Sequence, residues 1–108
     1  MILHIVMFRF FVHVGDLDKE RLISRLQQLG RDCGGEAAGI IGWHVAHNLD
    51  NRKGYTIIEL ALFSDMEALG QFRAHPCHRA MTEEIRKSAD WIVGDLEVPH
   101  CIFENARI

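Results

Sequence analysis

The sequence predicts an α+β fold, a ferredoxin-like βαββαβ sandwich with helices on one face of a four-stranded sheet. Three observations carry this reading. Residues 55–63, Tyr55-Thr56-Ile57-Ile58-Glu59-Leu60-Ala61-Leu62-Phe63, form a long apolar run with a single carboxylate at its centre. Residues 2–12 form a second run of the same kind. Amphipathic helical patterns separate these runs from two weaker strand patterns, in the order strand, helix, strand, strand, helix, strand.

The first strand is expected over Ile2 to Val12. Ile2, His4, Val6, Phe8 and Phe10 share one face; Leu3, Ile5, Met7, Arg9 and Phe11 share the other. Both sets are mostly apolar, the mark of a strand covered on two sides. Gly15-Asp16 ends it, and Asp16 or Asp18 caps the helix that follows. That helix runs from Asp18 to about Cys33, with Leu22, Leu26, Leu29 and Cys33 in one stripe widened by Ile23. Gly34-Gly35 stops it.

Ile40 to Asn48 reads as an edge strand of mixed polarity. The polar turn 48–54 then makes a hairpin into the Tyr55 run, a central strand. Ser64 or Asp65 caps a short helix with Met66, Leu69 and Phe72 on its inner side. His75-Pro76 breaks it, and Pro76 opens a further helix to about Ser88 with His78, Met81 and Ile85 in one stripe. The last strand spans Trp91 to Val98, with Asp95 an outlying carboxylate, and Pro99 ends it.

At 108 residues, 48% hydrophobic and 25% charged, the chain reads as one globular domain, with a core at about 1–98 and a tail at 99–108. The apolar tail segment Cys101-Ile102-Phe103 is expected to pair with another chain. A net charge of −3 without a basic block argues against nucleic acid or an anionic membrane as partner. Lys53-Gly54-Tyr55 echoes an RNA-binding strand motif, but Ile57 and Leu60 stand where stacking rings are needed. Three cysteines without a CxxC spacing argue against a disulfide framework or a zinc ribbon. Residues 1–14 are interrupted by His4, Arg9 and His13 and have no cleavage pattern, so a buried strand and a cytoplasmic protein are expected. Helices cover one face of the sheet, yet the first and third strands are apolar on both. The bare face therefore calls for a second copy, sheet against sheet, in a homodimer.

Several segments together resemble a known family. Leu3-His4-Ile5-Val6-Met7-Phe8-Arg9-Phe10, Lys53-Gly54-Tyr55-Thr56, Phe63-Ser64-Asp65-Met66-Glu67-Ala68-Leu69, His75-Pro76-Cys77-His78 and Trp91-Ile92-Val93-Gly94-Asp95-Leu96 resemble the stress-responsive A/B barrel (Dabb) family. The resemblance covers about residues 1–98 and implies a homodimeric α/β barrel. Most members have no assigned reaction, so it implies less about function. One branch resembles plant polyketide cyclases. It implies that His78 is a base in an aldol closure and that His4 is a pocket histidine. Phe72 stands where that branch has an assisting tyrosine, and Ile57 where it has a further histidine.

His78, Glu59 and His4 are the candidate catalytic residues. A desolvated neutral imidazole at His78 accepts a proton near neutral pH. Glu59 and His4 share the helix-facing side of neighbouring strands, where a carboxylate orients an imidazole. The same trio suits a divalent metal, although no metal and no cofactor is expected. The plainer readings are a buried His78 bonded to backbone and a Glu59 that neutralises a buried histidine. His75 suits a cap before Pro76, and Cys77 does not face His78. Val6, Phe8, Ile57, Phe72, Met81 and Trp91 are the expected ligand pocket. The leading expectation is a small apolar or aromatic ligand between helices and sheet, with acid–base, cyclase-like chemistry through His78. The alternatives are a non-catalytic, stress-related dimer with a filled core and a cofactor-independent monooxygenase on a similar barrel.

Overall fold

The computed structural model describes residues 1–100, so the expected pairing of the tail at Cys101-Ile102-Phe103 lies outside the described residues. Four strands, β1 (Ile2–Phe10), β2 (Ile40–His47), β3 (Ile57–Phe63) and β4 (Ala89–Glu97), form one antiparallel sheet in the order β2-β3-β1-β4. Three helices, α1 (Asp16–Asp32), α2 (Met66–Ala74) and α3 (Pro76–Ile85), complete the ferredoxin-like topology. The two runs that are apolar on both faces, β1 and β3, are the central strands.

The strand faces divide as the alternation requires. On β1, Ile2, His4, Val6 and Phe8 are buried while Leu3, Ile5 and Met7 are half-buried. On β3, Ile57, Glu59, Ala61 and Phe63 are buried while Leu60 is exposed. The buried set packs against Leu22, Leu26 and Leu29 of α1, Leu69 and Phe72 of α2, and Met81 and Ile85 of α3. Each fully buried side chain such as Phe63, Leu69 or Ile57 contributes about 1.5–3 kcal/mol.

Some boundaries differ from expectation. β1 stops at Phe10 because the Phe11 amide bonds to the Ser88 carbonyl (2.8 Å) and Val14 turns back on Phe11 (3.1 Å). Neither Asp16 nor Asp18 caps α1. Gly15 holds the cap position, and both carboxylates lie in the first turn, where the helix dipole favours them. Asp65 caps α2 by accepting from the Ala68 amide at 2.8 Å. Met66 points to solvent, 59% exposed, so the inner side of α2 is Ala68, Leu69 and Phe72 instead. Helix α3 ends at Ile85 rather than Ser88, since the Lys87 and Ser88 amides close turns on Glu84 (3.3 Å) and Ile85 (2.9 Å). Glu84 of α3 accepts from Arg21 (2.5 Å) and from Arg25, tying α3 to α1.

Candidate active site

Strand pairing assembles the site. In the β1–β3 ladder Val6 lies opposite Glu59 and His4 opposite Ala61, so His4 and Glu59 are diagonal neighbours on one face. In the β1–β4 ladder His4 lies opposite Asp95. A cavity of about 320 Å³ sits between this face and the helices. The sheet supplies His4, Val6 and Phe8 from β1, Glu59 from β3, and Trp91 and Val93 from β4. Leu26 and Leu29 come from α1, Arg73 from α2, and His78, Met81, Thr82 and Ile85 from α3. Arg73 and Val93 are exposed, so the cavity reaches solvent beside the outer strand β4.

Asp95 orients His4. The His4 Nδ1 donates to Asp95 Oδ1 at 2.5 Å, and Arg73 donates to Asp95 Oδ2 at 2.5 Å. The carboxylate holds the proton on Nδ1, which leaves Nε2 as an acceptor facing Glu59. Glu59 Oε2 lies 3.6 Å from that Nε2, beyond hydrogen-bond length. Among the described residues Glu59 makes no hydrogen bond, although it is only 3% exposed. Burial pushes its carboxyl up to about 8, so it is protonated at neutral pH.

His78 is half-buried, with its ring 4.5 Å from that of Phe72 in an edge contact. Burial lowers its pKa; a hydrogen bond to the Arg73 backbone opposes this, and the nearby His4 adds to the lowering. The imidazole is therefore neutral near neutral pH and faces the cavity as an acceptor.

His4, Glu59 and His78 thus line one cavity, together with Val6, Phe8, Met81 and Trp91. Ile57 and Phe72 do not line it. Ile57 is 1% exposed and packed in the core, and Phe72 is enclosed by the rings of Trp43, Phe63, His4 and His78. The expected roles within the trio also change, because the carboxylate that orients an imidazole is Asp95 and not Glu59. Asp95 and Arg73 escaped sequence reasoning. The signal for Asp95 lay in the antiparallel register of the first and last strands, which sets it across from His4. His75 caps α3, its Nδ1 accepting from the Cys77 amide at 3.0 Å. Among the described residues no group of three or more His, Cys, Asp or Glu side chains is arranged to hold a metal ion.

The model of the stress-responsive A/B barrel domain matches residues 2–98, and the chain belongs to this family. An Arabidopsis thaliana protein of known crystal structure is similar at 23% identity and TM-score 0.76, over 94% of this chain and 98% of that one. A dimeric ferredoxin-like protein of unknown function from Thermobifida fusca is 21% identical at TM-score 0.76, over 90% of each chain. A hydroxynitrile lyase from Passiflora edulis is 16% identical at TM-score 0.76, over 93% of this chain and 94% of that one. At these identities the likeness concerns the fold. No curated protein matches the chain.

Proposed function

We propose that this protein is a homodimer that binds a small apolar or aromatic molecule between helices and sheet and moves a proton on it, with His78 as the base. The observation that carries the reading is the cavity itself. It is large enough for a single ring, and its walls are mainly apolar with a few polar groups, His4, Glu59, Arg73, His78 and Thr82, among them. A filled core would leave no such space, which disfavours a purely structural dimer. A neutral imidazole is the protonation state that proton abstraction requires. The hydroxynitrile lyase of similar fold is an enzyme, which supports a catalytic reading.

The test uses acetophenone in D2O, followed by proton NMR. Binding is expected to shift the Met81 methyl and His78 ring signals, and the protein is expected to speed exchange of the methyl hydrogens. His78→Gln should abolish the exchange and leave binding within about threefold, since the lost polar contact is one hydrogen bond. Exchange unchanged in His78→Gln would remove His78 as the base. No shift at Met81 or His78 would remove the cavity as a ligand site.

A further inference from the structure

The role of Glu59 carries an inference that rests on the ligand-binding reading above and narrows it. A carboxyl buried to this degree nearly always has a partner. Glu59 makes no hydrogen bond among the described residues, and its oxygens are open to the cavity rather than sealed in the core; His4 Nε2 stands 3.6 Å from its Oε2. A single oxygen atom can sit within hydrogen-bond length of both. We propose that Glu59 is the specificity-determining residue of the cavity, donating a hydrogen bond to one uncharged oxygen, a hydroxyl or a carbonyl, on an otherwise apolar ring-sized ligand.

The surroundings support an uncharged ligand. His4 of β1 and Arg73 of α2 are both held by Asp95 of β4, which matches one full positive charge with one negative. Helix α1 contributes only Leu26 and Leu29 to the lining, and α3 contributes His78 as its one titratable group. Burial drives both His78 and Glu59 toward their neutral forms. An ammonium would demand an ionised Glu59 in an apolar cavity, and a carboxylate would find no unpaired buried cation. A hydroxyl gains twice, accepting from Glu59 and donating to His4 Nε2; a carbonyl gains once.

Four matched probes and two variants test this: 1-phenylethanol, acetophenone, ethylbenzene and 1-phenylethylamine, titrated by NMR into the unaltered protein, Glu59→Leu and Glu59→Gln. The alcohol and the ketone are expected to bind roughly three- to tenfold tighter than ethylbenzene, the net worth of a hydrogen bond, with the amine weakest. Glu59→Leu should erase that margin. Glu59→Gln, which keeps an N–H donor and the shape, should retain most of it. The margin in the unaltered protein should shrink as pH passes about 8 and the donor is lost. Equal affinity for ethylbenzene and the oxygenated probes, or a margin that survives Glu59→Leu, would overturn the inference and leave the cavity reading intact. Tightest binding of the amine would overturn it by making Glu59 a counter-ion. Failure of all four probes would remove both the inference and the cavity reading.

Discussion

Glu59 holds its proton up to about 8 in the folded chain, against 4.5 for an ordinary glutamate. Between those values the unfolded chain has released a proton that the folded chain keeps, so stability falls as pH rises from about 4.5 to about 8. The slope from this one group is on the order of 1.4 kcal/mol per pH unit. Glu59→Gln should flatten it and make the protein more stable near pH 8, as read from urea midpoints across that range. An unchanged slope in the variant would mean that Glu59 ionises freely. His78 acts on the acid side. Its folded pKa lies below 6.5, so the unfolded chain takes up a proton first and stability is lost as pH falls below that value. Asp95→Asn tests the orientation of His4. It replaces a charge-assisted bond worth about 1.5–3 kcal/mol, and the His4 Nδ1 proton should lose its downfield NMR signal. A signal that persists would place the His4 proton under some other partner. His4 and Glu59 were legible in the sequence because strand alternation puts both on the helix side. Asp95 was not, because 91 positions separate it from His4 and only the pairing of β1 with β4 joins them. The family resemblance sets Ile57 and Phe72 in the pocket, but Ile57 is packed in the core and Phe72 is enclosed by the rings of Trp43, Phe63, His4 and His78, a packing detail that a residue's place on a strand or helix does not reveal.

Between α1 and β2 the packing leaves no room for a methyl group. A Cβ at Gly30 would fall 2.6 Å from the Trp43 ring, whose Nε1 donates to the Leu26 carbonyl at 3.0 Å. The ring cannot retreat without losing that bond or pressing on Phe72, 5.6 Å away between centroids. Gly30→Ala should therefore cost about 1–3 kcal/mol, although alanine favours helix and would stabilise an open site. Calorimetry showing no loss would mean that Trp43 moves freely. The amphipathic stripe of α1 was readable from sequence, whereas this contact was not, since it depends on how closely a strand approaches a helix. Met66 was misplaced for a related reason. A nine-residue helix has few apolar positions, and within its first turn Met66 is exposed while Ala68 and Leu69 are buried, so spacing alone does not reveal which of them is covered. The cap at Asp65, a local feature, was among the readings available in advance.

Across the whole molecule, the sheet face away from the helices remains apolar. Leu60 is 38%, Ile41 49%, Leu96 47% and Ile92 51% exposed, and they come from β3, β2 and β4 around the half-buried Leu3, Ile5 and Met7 of β1. A patch drawn from every strand is more than scattered surface apolarity and calls for a cover. A second copy, pairing the same face by a two-fold axis, is the natural one. Leu60 lies on a central strand in the middle of this face, so Leu60→Lys would bring an unpaired ammonium into the contact, or two of them across a two-fold axis. In sedimentation equilibrium at micromolar concentration the unaltered protein should be a dimer and Leu60→Lys a monomer. Leu60 points away from the cavity, so the substitution adds no charge there, and a monomer that keeps its helical circular dichroism separates loss of the interface from loss of the fold. The same variant also decides whether assembly and binding are coupled. Acetophenone binding that persists in the Leu60→Lys monomer would make the cavity complete within one chain, in keeping with its lining by residues of β1, β3, β4, α1, α2 and α3 of that chain. Binding lost with the dimer, while the fold survives, would mean that the partner steadies β4, the outer strand whose Trp91 and Val93 line the cavity and whose Asp95 holds His4. A monomeric unaltered protein would instead show that the apolar face is covered by something other than its own copy.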